Sequence, residues 1–306
     1  MIDFKTPTLG DKGWADALLQ AADYRGCEYN FTNLFTWKDA YHHALARMDG
    51  FLLVRLCGGL GCSYLYPAGR GDLHGAILAL EAEAQSRGEP LRLVCLTGRQ
   101  MAELEAAFPG EFEFTPDRDG FDYLYEIDHL ADLKGKQLHA KRNHVNHFLG
   151  SNPGWVYEEV SSENLGDCLR MDEEWYRRNR EREGAAQAED LGNEGLALRL
   201  AIRHFETLGL EGGLLRVFGE VVAFTMGDLL SSDTFDVHFE KAYSDLRGAY
   251  ATINQQFSAW VRQKHPNVRY LNREDDMGVA GLRTAKNSYY PDLMIEKHSA
   301  VRKSRG

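Results

Sequence analysis

The sequence predicts an α+β protein of mixed, mostly antiparallel sheets flanked by helices, and three observations carry that prediction. A chain of 306 residues with 43% hydrophobic side chains can bury one large core or two ordinary ones. Short apolar runs of strand length recur at 51–56, 62–66, 91–96, 213–218, 221–229 and 234–240, several of them meeting at glycine turns. Between them, longer stretches space apolar residues three and four apart, as Trp14, Leu18, Leu19 and Ala22 do within 11–24.

In chain order, helices are expected at 11–24 and 28–37, the second burying Phe31, Leu34 and Phe35 as a stripe. The runs at 51–56 and 62–66 form a hairpin through Gly58-Gly-Leu-Gly61. These glycines lack the G-x-G-x-x-G spacing and no helix opens directly after them, so turn chemistry accounts for them. A helix at 72–87, a strand at 91–96, a helix at 97–108 and strands at 112–115 and 121–127 follow. The stretch 133–148 holds Lys134, Lys136, Lys141 and Arg142 with no acid after Asp132. Leu138, Val145, Phe148 and Leu149 can share one buried helical face there, which leaves the cations for solvent or for an anion. His139, His144 and His147 are five and three apart, not the i, i+4 pair of a helix-borne metal site, and no metal is expected.

The second half reads as a strand at 155–160, a helix at 161–182, a Gly-, Ala- and Gln-rich segment at 183–193 expected to be mobile, and a helix at 194–208. Three antiparallel strands, a helix at 248–265, a strand at 268–272, a helix at 280–289 and a strand at 292–297 complete it. The expected division is an N-terminal domain over 1–130, a basic linker helix over 131–150, a C-terminal domain over 151–299 and a frayed tail over 300–306.

A net charge of −11 argues against general coating of nucleic acid, though not against a local basic site. No apolar stretch reaches the length of a membrane span and the first residues do not read as a signal peptide, so a cytoplasmic protein without stable membrane insertion is expected. Cys27, Cys57, Cys62, Cys95 and Cys168 are odd in number and form no Cys-x-x-Cys pair. They read as reduced core thiols rather than a disulfide frame or zinc site.

The chemistry is densest near the C-terminal end. Asn272, Arg273, Glu274, Asp275, Asp276, Arg283 and Lys286 follow the end of a strand within fifteen residues, where such charges neutralise one another or line a polar cleft. Upstream, alternation puts Phe235, Val237 and Phe239 on one face of a strand and Asp236, His238 and Glu240 on the other. His238 and Glu240 would then project together. They form either a proton-handling pair or a polar face satisfied by Arg273 or Lys286.

Several segments carry a resemblance to a known family: Asn30-Phe-Thr-Asn-Leu-Phe-Thr-Trp37, Leu133-Lys-Gly-Lys-Gln-Leu-His-Ala-Lys-Arg-Asn143, Phe235-Asp-Val-His-Phe-Glu-Lys241, Arg247-Gly-Ala-Tyr-Ala-Thr-Ile-Asn254, Tyr270-Leu-Asn-Arg-Glu-Asp-Asp-Met-Gly278 and Gly281-Leu-Arg-Thr-Ala-Lys-Asn-Ser-Tyr-Tyr-Pro291. With these the chain resembles, over nearly its full length, a bacterial family related to the C-terminal domain of phosphatidylglycerol lysyltransferase and, more distantly, to the Fem-type aminoacyltransferases. The element order of the second half is similar to that of the GNAT acyltransferase fold, and the first half resembles an abbreviated copy, so tandem GNAT-like domains are implied.

The resemblance implies an acyl- or aminoacyltransferase that uses acyl-coenzyme A or aminoacyl-tRNA and an amine or hydroxyl acceptor. A coenzyme A pyrophosphate would meet Arg247, Gly248, Ala249 and Tyr250, with Lys241 as a second phosphate partner. Asp245 and Tyr250 depart from the Gln/Arg-x-x-Gly-x-Gly/Ala pattern, and a glycine-started helix packing on the sheet is the other reading. His238 and Glu240 would handle the proton. Tyr289 of the Ala285 to Tyr289 motif would serve as general acid, although Leu282 replaces the asparagine of that motif. The substrate would meet Asn254, Asn272, Glu274, Asp275, Arg283 and Lys286, and Lys141 and Arg142 would contact a tRNA phosphate. The alternative is a non-catalytic module that binds a phosphorylated metabolite or lipid headgroup. A lipid would have to be reached from a soluble or peripheral position. The oligomeric state stays open.

Overall fold

A computed structural model describes residues 2–59, 61–180 and 185–303, with the side chains of 179–180 and 185–191 excepted. The described strands are β1 (Ala44–Met48), β2 (Phe51–Gly58), β3 (Gly61–Leu65), β4 (Ala68–Gly69), β5 (Arg92–Leu96), β6 (Phe112–Pro116), β7 (Asp122–Glu126), β8 (Val156–Glu159), β9 (Glu211–Val217), β10 (Glu220–Leu229), β11 (Thr234–Ala242), β12 (Tyr270–Asn272), β13 (Leu293–Ile295) and β14 (His298–Arg302). They form two sheets, ordered β1-β2-β3-β5-β14-β6 with β4 beside β2, and β13-β7-β12-β11-β10-β9-β8. In each, the described pairings include one parallel pair, β3 with β5 and β11 with β12, among antiparallel neighbours. The α+β expectation holds.

The chain divides into two compact units. Unit 1 comprises residues up to 122, 275–283 and those from 294 onward, and unit 2 comprises 123–274 and 284–293. The first sheet belongs to unit 1, where Leu53, Tyr64, Ile77, Leu80, Leu93 and Ala300 form a core around helix Leu73–Ser86. Asp72 caps that helix by accepting from the amide of Gly75 at 3.1 Å. Helix Gly98–Ala107 starts at Thr97, whose amide donates to Gln100 at 2.8 Å in a capping box. The tail does not begin at residue 300: β14 lies between β5 and β6, and Arg302 is buried beside Glu111 at 2.7 Å. Residues 304–306 lie outside the described residues.

Two further expectations are corrected in unit 1. Strand β1 was not foreseen, because Ala44-Leu-Ala-Arg-Met48 has no clean alternation of its own and is set by its pairing with β2. Cys57 and Cys62 are not reduced core thiols. The hairpin register places them directly opposite one another, 4.1 Å apart at Cα, and they are joined by a disulfide.

Unit 1 also buries a charged cluster that sequence reading missed. Lys297 is 1% exposed and donates to Asp122 at 2.6 Å, contacts Glu28, and lies 3.6 Å from the Cys27 sulfur. Burial opposes the ammonium charge, and Asp122, Cys27 and Glu28 outweigh it, so Lys297 stays protonated. Burial pushes Glu28 up to about 7 from 4.5, with Lys297 working the other way. Because the folded value is the higher one, folding gains from Glu28 below pH 4.5 and loses that gain as pH rises to about 7. Glu28→Gln is expected to flatten the fall in stability over that window, read from urea midpoints at several pH values. An unchanged slope would refute the assignment.

The second half of the chain reproduces the expected order: β8, helices Leu165–Arg180 and Ala185–Arg203, β9 to β11, helix Ala249–Lys264, β12, helix Ala280–Asn287 and β13. The segment 183–193 was expected to be mobile. Residues 183 and 184 lie outside the described residues, while Ala185 to Asn193 belong to the helix Ala185–Arg203. The basic stretch forms helix His139–Ser151 and is part of unit 2, with Leu138, Val145 and Phe148 buried as the spacing required. Phe148 joins Leu215, Ala223, Ala242, Ala249 and Ile253 in one core, each large apolar side chain contributing about 1.5–3 kcal/mol.

The decisive local feature of unit 2 is a bulge. Along the β10–β11 pair, Met226 faces Phe239 and Gly227 faces Val237, which leaves His238 as an extra residue on β11. The alternation therefore inverts at His238. Phe235 packs on Phe257 of helix Ala249–Lys264, and Glu240 bonds to Asn254 of the same helix, although one position is odd and the other even.

Candidate functional site

Strands β11 and β12 pair in parallel only from Thr234↔Tyr270 to Asp236↔Asn272. Beyond that point β11 continues to Ala242, while the chain after Asn272 stays beside β7, the Arg273 amide donating to the Tyr123 carbonyl at 3.0 Å and the Tyr123 amide to the Glu274 carbonyl at 3.2 Å, and so the two part as a fork. A divergence between parallel strands exposes backbone and side chains at strand ends, which is where α/β sheets place polar sites.

On the side of helix Ala249–Lys264, Arg273 donates to Glu240 at 2.8 Å and Asn254 donates to the other Glu240 oxygen at 3.2 Å. Burial works against the Arg273 charge, and Glu240 sustains it. The Arg273 guanidinium lies 4.9 Å from the Tyr289 ring centre, and the Lys141 ammonium lies 3.8 Å from the same centre. Two cations thus share one aromatic ring. Burial, reinforced by repulsion from Arg273 and partly offset by Glu240, lowers Lys141 to about 8 from 10.5. Burial pushes the Tyr289 hydroxyl up, so it stays protonated.

Three buried polar atoms here have no hydrogen-bond partner among the described residues: Arg273 Nη1, Asn254 Oδ1 and Thr225 Oγ1, the last directly across from Glu240 in the sheet. Buried polar groups are nearly always bonded, so these donors and acceptors are open to ordered water or to a polar ligand. Lys286 donates to the Arg273 carbonyl at 2.5 Å, and Tyr125 donates to the Lys286 carbonyl at 2.7 Å, which fixes the loop that carries Arg273.

The fork therefore brings together Glu240, Asn254, Lys141 and Tyr289 from among the expected residues, with Lys286 behind them. Sequence reading placed Arg273 among the charges that neutralise one another or line a cleft without giving it a role of its own, and did not single out Thr225. An arginine directly after a strand was the available signal for the first, and nothing local distinguished the second.

Other expected residues lie elsewhere. His238 does not pair with Glu240. Its ring bonds to Asp228 and Glu274, each at 3.1 Å, with Asp236 at 3.7 Å. Burial disfavours its charge, but Asp228 and Asp236 outweigh burial and hold it well above the ordinary imidazole range. An imidazole already protonated at neutral pH is a poor proton acceptor. The bulge explains the error, since it removes His238 from the face that Glu240 occupies.

Lys241 points to the opposite side of β11, where it bonds to Glu194 at 2.6 Å and lies 3.9 Å from the Trp175 ring centre. The residues expected to cradle a pyrophosphate stand together at the start of helix Ala249–Lys264 but do not all face outward. Arg247 and Tyr250 are exposed, and Ala249 is buried in the core. Gly248 has φ +94°, and a Cβ there would collide with the His144 carbonyl and sit 3.1 Å from Phe148 Cβ, so this glycine permits helix packing. Arg142 bonds to the Leu133 and Gly135 carbonyls and secures the turn before its helix.

Asn272 accepts from the Glu274 amide at 2.7 Å and shapes the exit from β12. Asp275 and Arg283 belong to unit 1, where Asp275 accepts from the Met277 amide at 3.0 Å and Arg283 bonds to Asp276 at 2.6 Å and Asp119 at 2.7 Å. Among the described residues, Cys27/Asp122/Asp275, Glu126/His129/Asp292 and Asp236/His238/Glu274 group closely enough to hold a cation. In the first and third a cation of the protein's own, Lys297 or protonated His238, already sits beside the carboxylates.

No helix among the described residues is long and apolar enough to cross a membrane. The chain is similar over 99% of its length, and 100% of the other chain, to the crystal structure of a conserved protein of unknown function from Bacteroides thetaiotaomicron, at 39% identity and a TM-score of 0.93. It is 28% identical over 181 residues to an uncharacterized protein of Mycoplasmoides gallisepticum, covering 58% of this chain and spanning about half, 54%, of that relative. The structure of L-PGS from Bacillus licheniformis shares the fold at 17% identity and a TM-score of 0.67, over 97% of this chain and 93% of that one. The family described as phosphatidylglycerol lysyltransferase, C-terminal, matches residues 20–301, and the chain belongs to that family.

Proposed function

We propose that the protein is an aminoacyltransferase that moves an aminoacyl group from an aminoacyl-tRNA to a hydroxyl or amine acceptor, with the fork between β11 and β12 as the place of transfer. One observation carries this reading: Arg273 and Lys141 converge on Tyr289, and Arg273 retains an unbonded nitrogen beside Glu240. When an acceptor oxygen or nitrogen attacks an ester carbonyl, negative charge develops on the carbonyl oxygen, and buried positive donors stabilise it. Glu240 holds Arg273 in place for that task. Lys141, near 8, has a neutral fraction at physiological pH and can take the acceptor's proton. Protonated Tyr289 is a hydrogen-bond donor in the same site.

Aminoacyl-tRNA is favoured over acyl-coenzyme A as donor by the packing of Gly248 against His144 and Phe148 and the burial of Ala249, which turn two of the four residues expected to meet a pyrophosphate toward the interior. The family's name points to lysyl transfer onto phosphatidylglycerol, whose headgroup offers hydroxyl acceptors. The test is incubation of the protein with lysyl-tRNA, other charged tRNAs or acetyl-coenzyme A, with and without vesicles containing phosphatidylglycerol, followed by mass analysis of lipids and small amines. Faster donor deacylation together with an aminoacylated product supports the proposal. Donor stabilisation of the fold without any product would support the non-catalytic binding module instead.

A further inference from the structure

Lys141 differs from the other lysines in its setting. Its amine is half-buried, lies against the Tyr289 ring, and has no oxygen partner among the described residues. The other described lysines bond to an oxygen or, like Lys136, are exposed. The charged and titratable groups that face it are Arg273 beyond β12, Glu240 on β11 and Tyr289, with His144 on its own helix. Arg273 repels the ammonium, and its attractive partner, Glu240, is already bonded to Arg273 and Asn254. An amine held without a counter-ion in a partly dry site is a nucleophile as well as a base.

We propose that Lys141 is a self-acylation site: in the absence of an acceptor, its own amine receives the activated acyl group, and the transfer site is closed by the product. The Nζ lone pair attacks the ester carbonyl carbon, the new C–N bond forms, and the bond from that carbon to the ribose oxygen breaks. The proton lost from nitrogen passes to the departing oxygen, giving an amide on Lys141 and an uncharged tRNA. The amide is stable, so the product is a blocked enzyme and not a turnover intermediate. It also removes one of the two positive charges beside Tyr289. The donor in this scheme rests on the transferase reading, whereas the reactivity of the amine does not.

The experiment separates the two. Full-length protein is treated at neutral pH with limiting sulfo-N-hydroxysuccinimide acetate, and acetylation of each lysine is followed by peptide mass spectrometry. Lys141 should acetylate about tenfold faster than exposed Lys136, the gain in free amine outweighing its lower basicity. Its rate should level off at a lower pH than that of Lys136. Arg273→Gln, which removes the repelling charge and frees Glu240, should slow it. A Lys141 rate no greater than that of Lys136, or one unmoved by Arg273→Gln, overturns the proposal. In the second arm, aminoacyl-tRNA without acceptor should leave one aminoacyl mass on Lys141 and none on the Lys141→Arg protein. A reactive Lys141 that stays unmodified by every charged tRNA while vesicle products still form would overturn self-acylation and leave the transferase reading in place. A reactive Lys141 with neither modification nor product would count against both.

Discussion

Arg273→Lys is expected to lower the rate of aminoacyl transfer by on the order of a hundredfold while leaving the folded state largely intact. Lysine keeps a charge for Glu240, so the buried carboxylate is not stranded. It cannot offer one arm of a planar fork to Glu240 and another to a carbonyl oxygen, and the second arm is the Nη1 group that has no partner among the described residues. The loss should fall on kcat, since the charge being stabilised exists only in the transition state. Arg273→Met should behave differently. It leaves Glu240 without its bonded counter-ion, with Lys141 as the remaining cation nearby, and is expected to destabilise the protein by about 1–3 kcal/mol. Single-turnover transfer from charged tRNA and urea unfolding of both variants check the pair. A full transfer rate in Arg273→Lys would move the chemistry out of the fork.

Lys297→Met is the change expected to cost the most stability, about 3–5 kcal/mol, because it leaves Asp122 fully buried and Glu28 nearby with no cation. The same step in Asp122→Asn protein should cost distinctly less, since one carboxylate no longer needs the ammonium. Urea midpoints for the two single variants and the double variant test this. Additive losses would mean that Lys297 and Asp122 do not depend on each other.

The fold class was legible because strand length, helical spacing and glycine turns agree along most of the chain. Helix Leu73–Ser86 with Asp72 before it, and the hairpin of β2 and β3, follow from local chemistry. The site was legible in part. Glu240 came from strand alternation, Lys141 from the basic stretch, and Asn254 and Tyr289 from the family motifs, and the fork collects them. His238 failed because a period of two cannot reveal one extra residue, and the bulge is fixed by the pairing of Met226 and Gly227 on the next strand. Gly248 failed because the same residue type serves phosphate approach and helix packing, and the collision with His144 depends on a helix about a hundred residues upstream. The Cys57–Cys62 link failed because an odd cysteine count says nothing about which two side chains a hairpin register will oppose.

The placement of β14 between β5 and β6 has a consequence for biosynthesis. The first sheet lacks an interior member until residues 298–302 have left the ribosome, so β5 and β6 emerge early and then wait with unmatched backbone edges while some 180 further residues are made. Assembly of that sheet is thereby deferred until β14 has emerged, and a nascent chain stalled before it would offer those edges to chaperones or to other nascent chains.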